Sequence, residues 1–167
     1  PNVYTIRKAL LVPVVIDVVL LFALLLISFL GNGSATERFV LVVLFVPLFY
    51  FSIDMLYRKV TTSDQGMMIQ KLFRKKNLLW GDINHVGHLV IRKKVYILLT
   101  TLKGFQIVSN AYANFPIFVK DIFTHMEKEK IEEQLAEQIE NPVQDMANII
   151  STWVAALVIL GIIVTKF

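Results

Sequence analysis

Three long apolar blocks limit what this chain can fold into. The first runs from Ala9 to Leu30, twenty-two residues with Asp17 as the single charge. A helix rises about 1.5 Å per residue, so such a block crosses a hydrocarbon core of about 30 Å. The second, Phe39 to Tyr57, is nineteen residues long and is interrupted only by Asp54. The third, Met146 to Val164, is just long enough to span. With 56% hydrophobic and 18% charged residues, and the apolar residues gathered in blocks, the chain reads as a multi-pass membrane protein.

The connections sharpen that reading. Gly31 to Glu37 (GNGSATE) is so short that the first two spans must form an antiparallel hairpin. Pro13 is expected in the first helical turn, where its missing N–H costs little, and Pro47 predicts a kink in the second span. Asn141-Pro142 reads as an N-cap and first helical residue for the third span, with Asp145 in its first turn. A cleaved signal peptide would use Arg7-Lys8 as its basic region and Gly33-Ser34-Ala35 as its cleavage site. The apolar run is longer than such a peptide needs and a second follows at once, so a retained anchor is expected. Arg7, Lys8, Arg58 and Lys59 flank the spans on one side, against Arg38 with Glu37, and Lys166, on the other. The positive-inside rule then puts the N-terminus in the cytoplasm and the C-terminus outside.

Between the second and third spans the charge is unevenly distributed. From Arg58 to Phe115 there are ten Lys/Arg against two Asp, and from Pro116 to Met146 three Lys against eight Asp/Glu. A cationic segment is thus followed by an acidic one, a split that says more about partners than the net +4 does. The absence of cysteine excludes disulfides, thiolate catalysis and cysteine metal sites.

The cationic segment has strand character. Ser63-Asp64-Gln65-Gly66 is a tight turn, Met67 to Phe73 a strand, and Arg74-Lys75-Lys76-Asn77 the next break. His85 to Ile91 and Val95 to Leu102 are strands split by Arg92-Lys93-Lys94, and Lys103-Gly104 turns into Phe105 to Ser109. Short strands between recurrent turns predict an antiparallel meander curling into a small barrel or sandwich. Val95 to Leu99 is apolar on both faces, so the following helix or the membrane should cover the outer one. That helix is expected from Pro116 to about Glu140. Ile117, Phe118, Ile122, Phe123 and Met126 make a covering face in its first half. At roughly 37 Å it outreaches a small barrel, so Ile131, Leu135 and Ile139 are expected to meet a partner.

The Trp80-Gly81-Asp82-Ile83 element, the opening Val60 to Ile69 hairpin and the single closing helix resemble the bacterial pleckstrin-homology-like (PH-like) domain, over about Arg58 to His125. The resemblance implies a seven-stranded, strongly bent sheet capped by a helix, with Trp80 in the core and Asp82 opening the next strand. It implies a scaffold for binding and assembly, often beside paired transmembrane helices, and no particular activity. One departure is that the first hairpin loop, Ser63 to Gly66, is polar and acidic, whereas phosphoinositide-binding relatives carry basic residues there. The expected class is therefore an α+β membrane protein. It divides into a hairpin (1–57), a cytoplasmic PH-like domain with its acidic helix (58–140) and a third span (141–167).

Candidate functional residues are few. Lys71, Arg74, Lys75, Lys76, Arg92, Lys93 and Lys94 sit close after a span, where each cation gains roughly 1 kcal/mol near an anionic leaflet. They read as lipid- or partner-contacting residues, or simply as topology determinants on a solvated rim. Nucleic acid is not an expected partner, because aromatics do not interleave with these cations. Asp17 lies about 12 Å below the cytoplasmic boundary, a costly depth that marks a polar contact with a partner helix or a transport pathway. Asp54 reads as the i+4 partner of Arg58. His85 and His88 fall on opposite faces of a strand and His125 lies far off in sequence, so no metal site is expected. No nucleophile and base, and no converging carboxylates, suggest catalysis. The function expected is a non-catalytic, cofactor-free accessory or assembly module of the bacterial inner membrane, self-associating or bound to other membrane proteins. The alternatives are a transporter or channel component using Asp17, or a regulator sensing anionic lipid.

Overall fold

The computed structural model describes residues 2–143 and 146–167; Asp145, expected in the first turn of the third span, lies outside them. The described residues divide into a helical unit, Lys8–Leu56 with Met146–Phe167, and a β-unit, residues 2–7 with 57–143.

The helical unit contains α1 (Lys8–Leu30), α2 (Ala35–Tyr57) and α5 (Ala147–Thr165), all three long and apolar enough to cross a membrane. Leu21, Leu24 and Leu41 form a buried cluster, with Phe45, Leu48, Ile159 and Ile163 packed against it. Most other apolar side chains of these helices, Phe22, Phe49 and Leu157 among them, face outward, which suits a hydrocarbon solvent. α2 starts ahead of its apolar block because Ser34 Oγ accepts the Glu37 N–H (3.1 Å) and caps the helix inside the turn. It continues through Pro47 as one element. Pro13 sits in the second turn of α1, not the first, since α1 already begins at Lys8. The cap expected at Asn141-Pro142 is corrected too. Asn141 instead closes a short helix, α4 (Glu137–Glu140), donating its N–H to the Glu137 carbonyl (2.7 Å), and α5 starts six residues later.

The β-unit has two antiparallel sheets. β1 (Asn2–Thr5), β2 (Lys59–Thr62), β3 (Gly66–Gln70) and β4 (Lys75–Leu79) form the first in that order. β5 (Ile83–Ile91), β6 (Lys94–Thr101) and β7 (Gly104–Ser109) form the second. β1 was not expected: it precedes the first span, yet pairs with β2 after the second, Thr5 facing Lys59. The residues up to 57 are therefore not all hairpin. Four residues before an apolar block give no periodicity to read, which is why the strand is silent in the sequence.

β4 is the second correction. Lys75, Lys76 and Asn77 were expected as a break, but the turn is Lys71–Arg74, with Lys71 N–H donating to the Arg74 carbonyl (2.7 Å). Lys75 already pairs with Gln70. β4 is an edge strand, and lysines are well suited to edges because they discourage pairing with other chains. The first sheet needs Gly66 opposite β4, because a Cβ there would lie 2.0 Å from the Leu78 carbonyl oxygen. The sheets do not close into a barrel. They meet at one side through an Ile6–Tyr112 bridge, while among the described residues β4 pairs only with β3 and β7 only with β6.

Val60, Ile83, Val86, Val95, Ile97, Leu99 and Val108 fill the space between the sheets and the amphipathic helix α3 (Phe115–His125), which inserts Phe118, Val119 and Ile122. The long helix expected to Glu140 ends at His125. Met126 turns to extended backbone, and two 3-10 turns (Lys128–Lys130 and Glu133–Ala136) bring the chain back along β5. There Glu132 N–H donates to the Val86 carbonyl (3.1 Å), and Ile131 bridges to Val86 in parallel. Ile131 and Leu135 are buried in the unit's own core and Ile139 is half-buried. The partner-facing row expected of these three is thus corrected. Their four-residue spacing reflects an irregular segment seated on a sheet, not one face of a helix.

Candidate functional site

Register alone orients the β-unit. Thr5, Lys59, Gln70 and Lys75 lie side by side at one end of the first sheet. Two residues beyond Thr5 the chain passes into α1, and two residues before Lys59 it leaves α2. The β3–β4 turn, Lys71 to Arg74, closes this same end.

The second sheet is tied to that end by Asn110. Its N–H donates to the Val95 carbonyl (3.0 Å) and its Oδ1 accepts the Val95 N–H (3.3 Å). Its Nδ2 donates to the carbonyls of Lys93 (3.1 Å) and Val143 (3.0 Å). The next residues run beside β1: Arg7 N–H donates to the Ala111 carbonyl (2.8 Å), and Ala113 N–H to the Thr5 carbonyl (2.7 Å). The β5–β6 turn at Arg92-Lys93 therefore stands at the end of the unit where the chain enters α1, and Val143, shortly before α5, is fastened there as well. A buried asparagine (7% exposed) has satisfied four backbone groups that would otherwise be stranded.

Six of the seven cations singled out in the sequence thus occupy two hairpin tips at one end, with Lys76 one residue further along β4. Lys71, Arg74, Lys75 and Lys76 line a cleft of about 450 Å3 with Ile69, Phe73 and Gln106. Arg92, Lys93 and Lys94 do not line it; they form the second tip. Among the described residues none of the seven has a carboxylate partner. Asp64 and Asp82 lie at the opposite end, in the β2–β3 turn and the 3-10 turn Trp80–Asp82. These two carboxylates stand away from the tips, whereas the acidic segment ending in Glu137 and Glu140 of α4 runs up to Val143, beside the second tip. Two features went unnoticed in the sequence. Phe73 is 81% exposed at one tip, and Ile91 is 53% exposed at the other.

A second cluster was also missed. Asp121 on α3 accepts hydrogen bonds at Oδ2 from Asn2 Nδ2 (2.9 Å), Thr62 Oγ1 (2.7 Å) and the Tyr4 hydroxyl. Burial pushes its carboxyl up, but those three donors and the nearby His125 together hold it below the usual carboxylate range. Burial, and then the bond to Asp121, push the Tyr4 phenol above its ordinary value. Next to it His125 stacks on Trp80 at 4.8 Å, and Trp80 Nε1 donates to the Ser63 carbonyl (2.8 Å). This arrangement clamps β1 and the β2–β3 turn to α3. Trp80 is buried. The carboxylate of Asp121 is satisfied by two donors from β1, invisible in the sequence, and one from β2.

His85 and His88 both face Glu132, one through its side chain (3.5 Å) and the other through its backbone N–H (3.1 Å). No group of three or more metal-ligating side chains comes together among the described residues. Asp17 in α1 is 4% exposed, and its Oδ1 has no hydrogen-bond partner among the described residues.

No curated protein and no solved structure matches the chain. A family profile does, over residues 2–148, from β1 to the start of α5. The match takes in the inserted hairpin and the β-unit together, and the chain belongs to that family, described as Family of unknown function (DUF6585).

Proposed function

We propose that this chain is a non-catalytic, membrane-anchored interaction module with a PH-like β-unit, acting as an accessory or assembly subunit of a membrane complex or homo-oligomer. The observation that carries the reading is the route of the chain. The β-unit is assembled from both flanks of the helical hairpin and leads directly into a third apolar helix, so it is tethered at three points. A module held this way is suited to presenting a surface at fixed height, not to roaming for substrate. The four-plus-three strands followed by α3 support the PH-like likeness. Arg7, Lys8, Arg58 and Lys59 at one end of the spans support a bacterial inner-membrane orientation with the β-unit cytoplasmic. At the other end Lys166 is paired with Glu37.

With Ile131 and Leu135 enclosed, the apolar surface left for a protein partner is the outer face of the second sheet. Leu89, Phe105 and Ile107 are exposed there. Purification in mild detergent is expected to return an oligomer or a larger complex, and Ile107→Glu to release the module while leaving its fold intact. A monomer with no co-purifying protein would sink the reading. The enclosed Asp17 favours one second reading, a small transporter or channel component. Under it Asp17→Asn abolishes flux in proteoliposomes; loss of abundance alone assigns the residue to packing.

A further inference from the structure

We infer that the two cationic tips of the β-unit, Lys71–Lys76 and Ile91–Lys94, dock on the anionic phospholipid headgroups of the leaflet in which the chain is anchored, with Phe73 and Ile91 as apolar wedges. The inference rests on the reading of α1, α2 and α5 as membrane spans and names the surface that the β-unit then meets.

Three independent observations converge on it. The first is connectivity. Thr5, Lys59, Gln70 and Lys75 form one row, and Arg7, Ala111, Asn110, Lys93 and Val143 are linked by backbone and amide hydrogen bonds. Every passage between the β-unit and an apolar helix therefore leaves from the end that carries both tips. Connections of one to three residues join that end to the helices in the chain, with no long linker between them. The second is chemistry. Each tip joins three or more cations, without carboxylate partners among the described residues, to an exposed apolar side chain, the composition that binds interfaces by combined electrostatics and burial. Asp64 and Asp82, in turns beside the two sheets, stand away from the tips, and the nearer carboxylates are Glu137 and Glu140 of α4, three or more residues before Val143.

The third is backbone strain. Arg92 has a positive φ of 58° in the β5–β6 turn. Glycine or asparagine adopts that conformation with little cost, and a long side chain does not. An arginine kept there against conformational preference points to a use for its charge. The cleft beside Lys71, Arg74, Lys75 and Lys76 is open and about 450 Å3 in volume, large enough for a phosphate-bearing headgroup. The leaflet is the source of phosphate that the tethering brings to it.

The chain has no cysteine, so single nitroxide labels can be placed directly on the full-length protein in nanodiscs. Phe73→Cys and Ile91→Cys report on the tips. Gln65→Cys is the control, an exposed residue of the β2–β3 turn that closes the other end of the first sheet. In discs of phosphatidylcholine with phosphatidylglycerol, labels at 73 and 91 are expected to show oxygen-favoured, nickel-protected accessibility, and the label at 65 to remain in water. In pure phosphatidylcholine the protection is expected to fall. Arg74→Glu and Arg92→Glu should each lower the docked-to-free ratio by about fivefold or more. Tips as water-accessible as position 65 in anionic discs would overturn the inference, as would protection that ignores lipid charge. A chain that fails to enter discs at all would instead refute the three spans.

Discussion

Asp121 is the residue on which the N-terminal strand depends. One carboxylate oxygen holds Asn2, Tyr4 and Thr62, which belong to β1 and β2, and its own helix supplies the acceptor. Because its pKa is lowered in the folded state, its contribution is present above the ordinary carboxylate range and is lost as pH falls through that range and below it. Tyr4 works in the opposite sense. Its raised pKa keeps the phenol protonated, and stability is lost as pH rises past about 10, its ordinary value. Asp121→Asn is therefore expected to lower the unfolding midpoint of the β-unit at pH 7 and to flatten its acid limb. Circular dichroism melts between pH 3 and 8 measure both, and an unchanged acid limb would remove Asp121 from this role. None of this was legible beforehand. Asp121 read as one more charge on an acidic segment, because its partners come from a strand that the sequence does not announce.

At the level of elements, what could be read depended on period and length. The three long apolar helices were legible to within a few residues because a long apolar block has few alternatives in structure. β5, β6 and β7 were legible from β-branched runs between turns. β1 and β4 were not. The first is four residues long, and the second has lysines where a central strand would have apolar residues, since it lies at an edge. The segment after His125 misled for a different reason. Its apolar residues recur every fourth position, which suits a helix, but Val86 and His88 on β5 offer backbone groups that Glu132 satisfies better than a helical turn would. Leu135 is wholly buried as a result. Leu135→Ala is expected to destabilise the β-unit by about 2–5 kcal/mol. Ile117→Ala, at a half-exposed position on α3, should cost far less. Urea unfolding of the two variants separates this arrangement from a free helix, in which the two costs would be alike.

For the whole molecule, charge is the feature that sequence and structure share most directly. The cationic excess between Arg58 and Phe115 is plain in the composition. That it gathers at one end needed the register, because Lys71–Lys76 and Arg92–Lys94 are brought together only by Asn110 and the β1 pairing. Orientation is tested by single cysteines in the otherwise cysteine-free chain. Asn32→Cys in the α1–α2 turn should react with an impermeant maleimide from outside intact cells, and Asp64→Cys only after permeabilisation. The reverse pattern would invert the proposed topology.

The pairing of β1 with β2 also sets an order of events during synthesis. β1 leaves the ribosome before β2, and its partner does not exist until both helices of the hairpin have been made. The β-unit cannot be completed by a nascent chain whose hairpin is still emerging, and β1 must wait as a short, unpaired strand. Translation of α2 and closure of the first sheet are thereby arranged in sequence. On the membrane-spanning reading proposed above, a folded β-unit is a record that the hairpin has been delivered with both its ends on the same side of the membrane.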